Sequence, residues 1–306
     1  MLPDDWQLTE DVDDFLSRAG DFLRSRPALH NTPLTDIEKL RTRGADAHSA
    51  PARANACNRA AVATVFGRLE AGGKVRAIFY RTPRGYLSLT PLSAEQAGTL
   101  AAHLAGLGHS PSGVIADHDT ATAFAETWQR HTGAAPVPFW RTHLYRLGTL
   151  TPPQPRPEGR GRVAGEKDHE QVVRWCREFC IDVGENVSIE AIDAGSWADT
   201  RFADKHSTFW ETPYGNPVSM AGSTSMIGGM VRVDPVYTPA HLRGRGYAGA
   251  VTVEVSRAAL AAGATDVVLF ADPANPTSNA LYQRIGYVHV ADFTGYRFSY
   301  GAPEAG

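Results

Sequence analysis

The segment PAHLRGRGYAGA, residues 239–250, places three glycines and two arginines within the seven positions from Arg243 to Gly249. Glycine allows a ligand to approach the backbone closely, and a helix N-terminus offers unpaired N–H groups and partial positive charge. The residues that follow have a helical pattern that ends at Gly263. The segment therefore predicts a site for a phosphate-bearing ligand. The alternative is an ordinary loop with two solvated arginines.

Two kinds of phosphate site fit this segment. GRGYAG, from Gly244 to Gly249, matches the dinucleotide fingerprint G-x-G-x-x-G, and Asp266 lies at about the distance of a ribose-binding acid. However, TPAHLR separates the preceding strand from the first glycine, and Pro239 interrupts that connection. Asp266 also precedes the strand VVLF instead of following it. These two departures count against a dinucleotide site.

The same residues resemble a signature of the GCN5-related N-acetyltransferases (GNAT). RGRGYA is similar to the family's pyrophosphate motif R/Q-x-x-G-x-G/A, with Arg243, Gly246 and Ala248 at the three defining positions. In that family the loop binds the pyrophosphate of coenzyme A. Convergent N–H donors at a helix start bind such a dianion without a metal, whatever the family.

A second motif downstream strengthens the resemblance. NPTSNALYQRIGY is similar to the family pattern N-x-x-A-x-x-L-Y-x-x-x-G-F, with Asn275, Tyr282 and Gly286 at the family's spacing. Tyr287 replaces the usual Phe, and Ser278 stands where Ala is common. The two motifs occur in the family's order, and the resemblance covers about residues 163–300.

The resemblance implies that acetyl-CoA is the acyl donor. The strand GGMVRVDPVYT contains Pro235, which cannot donate a ladder hydrogen bond and so marks a bulge or an edge. In the resembled fold this strand splays from its neighbour and exposes backbone groups to pantetheine and to an oxyanion. The residues expected to contact the cofactor are Val236, Tyr237, Thr238, Arg243, Gly244, Arg245, Gly246, Tyr247, Ala248 and Asn275.

Acyl transfer to an amine needs an acid for the leaving thiolate. A phenol has a pKa of about 10, close to that of a thiol, so we assign Tyr282 as the general acid; the alternative is a packed tyrosine that only anchors the cofactor. Asp234, Asp272 or a chain of waters remain open as the base. Trp210 and Glu211 either contact the substrate or are a core and a solvated residue, and the second interpretation is slightly favoured.

The chain divides at a proline-rich segment. TPPQPRPEGRGR, residues 151–162, holds four prolines and almost nothing apolar, so we predict an extended linker. Residues 1–150 and 163–306 show the same order of elements. The resemblance implies an α/β fold of two GNAT-like domains, each with a mostly antiparallel twisted sheet flanked by helices. Because residues 1–150 lack a glycine-rich loop, we expect a degenerate first domain and a catalytic second one.

The composition of the chain narrows the classes of binding partner that we expect. A net charge of −3 is unlike the basic footprint of nucleic-acid-binding proteins. No apolar run reaches membrane-spanning length, and the N-terminus is acidic instead of signal-like. We therefore expect a cytoplasmic monomer or homodimer without nucleic-acid or membrane partners. Cys176 and Cys180 are expected to be buried, reduced thiols and not a metal or redox pair.

These observations favour an acetyl-CoA-dependent N-acetyltransferase that acts on a small-molecule or peptide amine in a ternary complex. One alternative is an acyltransferase of the mycothiol-synthase type, which has a similar tandem of a degenerate and an active domain. Another is a CoA-binding module without catalysis, which has no need for an acid at Tyr282.

Overall fold

The computed structural model describes residues 5–43, 64–81 and 85–300 of the chain. The chain forms two compact units: the first holds the chain up to His143 together with the chain from Ala291, and the second holds Leu144–Val290. Among the described helices, none combines the length and the apolar character that crossing a membrane requires.

The first unit is a mixed sheet with helices. Its elements are β1 (Asp5–Thr9), α1 (Val12–Ser25), α2 (Asn31–Arg43), β2 (Val65–Ala71), β3 (Lys74–Arg81), β4 (Tyr86–Leu89), α3 (Ala94–Gly106), β5 (Gly113–Asp117), α4 (His118–Thr132) and the start of β6 (Ala135–Leu147). The strand order is β1-β2-β3-β4-β5-β12, where β12 is Tyr287–Ser299. Of these neighbours, β4 and β5 run parallel. Side chains of α3, α4 and the sheet form one apolar core.

The second unit repeats this order of elements. It contains β7 (Arg160–Val163), α5 (His169–Val183), α6 (Asn186–Asp193), β8 (His206–Glu211), β9 (Pro217–Ser223), β10 (Met230–Tyr237), α7 (Tyr247–Ala261), β11 (Asp266–Ala271) and α8 (Pro276–Arg284). The strand order is β6-β11-β10-β9-β8-β7. The pair β10 and β11 is parallel, and β7 to β10 are successively antiparallel. The predicted α/β fold with mostly antiparallel sheets flanked by helices is confirmed.

The bounds of the units differ from the predicted domains. The chain from Ala291 belongs to the first unit, because β12 pairs with β5 from Phe293 to Arg297. The end of the predicted linker is also a strand. Arg160–Val163 forms β7, which lies at the edge of the second sheet beside β8.

The second helix of the second unit, α6, is short and ends at Asp193. The Glu185 side chain accepts a hydrogen bond from the Ser188 backbone N–H and caps its start. Gly195, with a φ of +73°, follows its end.

Gly113 is a position in β5 where the fold requires the absence of a side chain. A Cβ atom there would lie 2.0 Å from the Tyr296 carbonyl oxygen, which belongs to the paired strand. We expect Gly113→Ala to lower the free energy of unfolding by about 2–3 kcal/mol, because a backbone atom must move. Chemical denaturation measures this loss.

Gly106→Ala in α3 is the matched control. A Cβ atom at Gly106 meets no atom within 4 Å, and alanine is the better helix former. We expect its stability to stay equal or to rise by less than about 1 kcal/mol. Equal losses in the two variants would contradict the close approach at Gly113.

Candidate functional site

The site begins where two parallel strands of the second unit separate. β10 and β11 pair only over Met230–Arg232 of β10. On its other side β10 continues against β9 to Tyr237, with a register shift between Val233 and Val236. The predicted bulge around Pro235 is confirmed. Beyond Arg232 the edge of β10 that faces β11 is therefore open.

The loop between β10 and α7 presents its backbone N–H groups. Gly244 and Gly246 have φ values of +76° and +80°, a conformation that side chains disfavour. Gly246 is the N-cap of α7, and no side chain caps this helix. Within the described part of the chain, the N–H groups of Gly244–Ala248 have no hydrogen-bond acceptor. Such convergent, unsatisfied donors at a helix start suit a phosphate group.

The corresponding helix of the first unit is α3, and side chains accept hydrogen bonds from backbone N–H groups at its start. The Ser93 hydroxyl accepts from the Gln96 N–H, and the Gln96 side chain accepts from the Ser93 N–H. The Leu92 N–H donates to the Thr120 hydroxyl at 2.9 Å. The N-terminus of α3 therefore offers fewer unsatisfied donors than that of α7.

The two arginines of the loop make different contacts. The guanidinium of Arg243 donates to the Thr238 carbonyl at 2.9 Å and to the Asp182 carboxylate of α5 at 2.5 Å. Arg245 is exposed and donates weakly to the His241 carbonyl, at 3.4 Å. Arg243 thus attaches the loop to α5. The charge of Arg245 is exposed to solvent.

The three residues at the end of β10 that were predicted to contact the cofactor have side chains that are engaged within the unit, so they offer mainly backbone groups to a ligand. Tyr237 is buried, packs against Trp175 and donates to Glu178. The Thr238 hydroxyl forms a hydrogen bond with Ser219 inside the unit, and Val236 packs partly buried on the apolar core.

Helix α8 begins with a capping side chain and a proline. The Asn275 side chain accepts from the Ser278 N–H as the N-cap, and Pro276 is the first helical residue. Asn275 therefore acts on the helix itself. Tyr282 is only 8% exposed, yet among the described residues its hydroxyl has no hydrogen-bond partner. Burial, and then the charge of Asp234, raise the pKa of Tyr282, so the hydroxyl keeps its proton at ordinary pH but is a weaker acid than the match with a thiol assumed.

Asp234 is the centre of a charged cluster on the bulge of β10. Its carboxylate accepts from Arg201 and Lys205. Burial opposes its charge, but Arg201, Lys205 and Arg232 outweigh burial and hold the pKa of Asp234 well below its usual range. The Lys205 side chain is 5% exposed, and burial lowers its pKa to about 7 against the attraction of Asp234.

A second carboxylate completes the cluster. Glu185 accepts from Arg201 at 2.8 Å, from the Ser188 N–H and hydroxyl, and from the Cys180 thiol. Cys176 and Cys180 are buried and free, as predicted, and burial raises the pKa of Cys176 to about 12. These thiols are therefore unsuited to nucleophilic or redox chemistry at neutral pH.

The structure argues against both residues that were considered as the general base. Asp234 binds protons too weakly for a good base, and exposed Asp272 accepts from the Ala274 N–H in a turn. Trp210 is a core residue, as favoured, but the expectation of a solvated Glu211 is wrong. Glu211 is 4% exposed because Arg162 donates to it at 2.5 Å.

Sequence reasoning missed the partners of Asp234. Arg201 and Lys205 lie about thirty positions before it, in a segment without a recognised motif. The order of β8, β9 and β10 in the sheet brings them together. No local pattern carries that information.

Comparisons with known proteins agree with this geometry. Residues 224–297, which contain β10, α7, β11 and α8, match the family model described as FR47-like protein. No curated protein matches the chain.

Several solved structures share the fold along nearly the whole chain. A Drosophila melanogaster protein has a TM-score of 0.60 at 14% identity, covering 98% of this chain and 100% of its own. A tandem GNAT protein from the clavulanic acid biosynthesis pathway has 0.53 at 12% identity, covering 98% and 100%. A GNAT-family acetyltransferase from Colwellia psychrerythraea has 0.51 at 10% identity, covering 96% and 100%. The predicted resemblance to GNAT proteins is thus confirmed at the level of the fold.

The charged cluster yields a prediction about stability. We expect Asp234→Asn to lower the free energy of unfolding by about 2–3 kcal/mol at pH 6, because the buried Lys205 and the partly exposed Arg201 lose their carboxylate. The pKa of Lys205 is about 7 in the folded chain and 10.5 ordinarily, so above pH 8 the folded protein already holds it neutral. The loss should therefore shrink as the pH rises from 6 to 9.

Chemical denaturation at pH 6, 7.5 and 9 measures this trend. Asp193→Asn is the control, because Asp193 forms an exposed ion pair with Arg177. Its loss should stay below about 1 kcal/mol at each pH. A loss of unfolding free energy in Asp234→Asn that is small, or that is equal at pH 6 and pH 9, would contradict the prediction. It would show that Asp234 does not stabilise the charged form of Lys205.

Proposed function

We propose that the second unit is an acetyl-CoA-dependent N-acetyltransferase that transfers acetyl to a primary amine by direct attack in a ternary complex. The observation that carries this proposal is the set of unsatisfied N–H groups at Gly244–Ala248, next to the opening between β10 and β11. The shared fold of GNAT proteins supports it.

The residues of the loop fit the pyrophosphate of coenzyme A. Their N–H groups converge at the N-terminus of α7, where the helix dipole adds partial positive charge. The positive φ values at Gly244 and Gly246 keep side chains away from these donors. Arg245 adds a full charge at the rim of this site.

The open edge of β10 fits the pantetheine arm. The backbone of Val236 to Thr238 would hold the amide groups of the arm, at the place where β11 no longer pairs with β10. A backbone N–H on this edge also serves as the donor that stabilises developing negative charge on the acetyl oxygen. The side chains of Tyr237 and Thr238 are engaged inside the unit, so they hold the edge in place.

Tyr282 supplies the proton for the leaving group. When bound, acetyl-CoA supplies a thioester: the amine nitrogen bonds to the carbonyl carbon and loses a proton, while the carbon–sulfur bond breaks and the thiolate takes up a proton. The Tyr282 hydroxyl has no partner among the described residues and keeps its proton at ordinary pH. A hydroxyl without a partner in the protein is available to a ligand, as a proton donor must be.

The loop is tested by Gly246→Val. A Cβ atom there meets only Pro157, at the ordinary distance of 3.8 Å, so the side chain has room to cover the donors, although the φ of +80° strains it. We expect the affinity for acetyl-CoA to fall at least about 100-fold, measured by calorimetric titration. NAD(P)H serves as the comparison ligand.

Gly263→Val is the matched control, because Gly263 has a φ of +95° at the other end of α7 with nothing within 4 Å. Both variants carry similar backbone strain, but Gly263→Val should bind acetyl-CoA normally. Unchanged affinity in Gly246→Val, or a preference of the protein for NAD(P)H, would refute the pyrophosphate assignment.

The acid is tested by Tyr282→Phe. We expect kcat with the best amine acceptor to fall about 10²–10⁴-fold while the Kd for acetyl-CoA is unchanged. Tyr287→Phe is the control, since Tyr287 is also buried but its hydroxyl is bound to Ser256 in the core. Full turnover in Tyr282→Phe would exclude Tyr282 as the acid.

A further inference from the structure

Arg201 is held rigidly beside the bulge of β10. Its Nε donates to Glu185 at 2.8 Å, and its Nη1 donates to Asp234. The guanidinium also lies over the rings of Phe202 and Phe179, at 4.4 Å and 5.5 Å from their centres. A guanidinium fixed by two carboxylates and two rings has lost most of its rotamer freedom before any ligand arrives.

This arrangement leaves two atoms of opposite character unused. Among the described residues, Nη2 of Arg201 has no acceptor and Oδ1 of Asp234 has no donor. The two side chains are 36% and 21% exposed, so solvent reaches them. The contact of Nη1 with Oδ2 brings this guanidinium and this carboxylate into one cluster, and each of them keeps one atom for a ligand.

The pair borders the opening where acetyl transfer is proposed. Asp234 is the second residue after Arg232, at which the pairing of β10 with β11 ends. An acceptor bound at Arg201 and Asp234 would therefore lie beside this opening.

The chemistry of the pair matches a zwitterion. An α-amino acid carries its amino group and its carboxylate on one carbon, so both reach neighbouring partners at once. The side chain of lysine, a polyamine or an aminoglycoside offers the amine alone and would leave the guanidinium edge without an acceptor. A site built around a polar group discriminates strongly against analogues that lack it.

We propose that the acceptor is an α-amino acid with a free α-carboxylate, which Arg201 binds through Nη2 while Asp234 receives the amino group at Oδ1. This inference rests on the proposed acetyl transfer. The ammonium group loses one proton to water before it attacks, and the nitrogen loses a second proton to water once it has bonded to the carbonyl carbon. The carbon–sulfur bond breaks, the thiolate takes the proton of Tyr282, and Tyr282 regains a proton from water. Lys205 neutralises the other oxygen of Asp234 and fixes the orientation of its carboxylate.

The first test uses the unaltered full chain. The twenty standard amino acids, the carboxamides of those that react, and the amines that lack the carboxylate are offered with acetyl-CoA. Thiol release gives the rate, and mass spectrometry identifies the acetylated product. We expect kcat/KM for the free amino acid to exceed kcat/KM for its carboxamide at least about tenfold. Spermidine and a lysine-containing peptide blocked at both ends should be poorer still.

The second test assigns the preference to Arg201. In Arg201→Gln the KM for the amino acid should rise about 10- to 100-fold with a smaller change in kcat, and the preference over the carboxamide should vanish. Arg201→Lys keeps the charge and should recover part of the affinity. Arg177→Gln, which removes an exposed pairing with Asp193, should leave KM unchanged. Normal acetyl-CoA affinity shows that each variant is folded.

Three results would overturn the proposal. The first is transfer to spermidine or the lysine peptide at rates equal to those with amino acids. The second is a carboxylate preference that persists in Arg201→Gln. The third is the absence of any acetylated amino acid although acetyl-CoA binds. If acetyl-CoA does not bind at all, the acetyltransferase function itself fails together with this inference.

Discussion

The short pairing of β10 with β11 is the constraint on which the site depends. Two parallel strands that stayed together would satisfy each other's backbone groups and leave nothing for a ligand. Here the pairing ends at Arg232, and the register shift before Val236 keeps β10 attached to β9 instead. One strand therefore remains in the sheet on one edge and stays open on the other. The loop to α7 and the Tyr282 hydroxyl acquire a role only beside such an opening.

The two units show two solutions for the same backbone problem. Every α-helix begins with N–H groups that its own turns cannot satisfy. In the first unit Ser93, Gln96 and Thr120 supply oxygen atoms for N–H groups at the start of α3, so fewer donors remain for a ligand. In the second unit Gly246 supplies no side chain at all. A few side chains thus make the helix start of one unit more open than that of the other.

Local signals were predictable from the sequence, and tertiary ones were not. The loop at Arg243–Ala248, the bulge at Pro235 and the helix that starts at Pro276 are recorded in neighbouring residues, because glycine and proline restrict their own backbone. The strand Arg160–Val163 looked like linker because its only reason to extend is the partner β8. The pairing of β12 with β5 likewise depends on a strand far away in the chain.

The contact between Arg201 and Asp234 belongs to this second group, and its cost argues for a role beyond stability. Replacing a buried ion pair with apolar side chains is often neutral or stabilising by about 1–4 kcal/mol, since the charges need not be desolvated. The cluster nevertheless places Lys205 in surroundings that lower its pKa to about 7. The centre of the Phe202 ring lies 5.2 Å from the Lys205 ammonium, and this ring belongs to an apolar core, so packing alone did not require charges there. The cluster has a clear use if a ligand that carries both charges binds its two unused atoms, Nη2 of Arg201 and Oδ1 of Asp234.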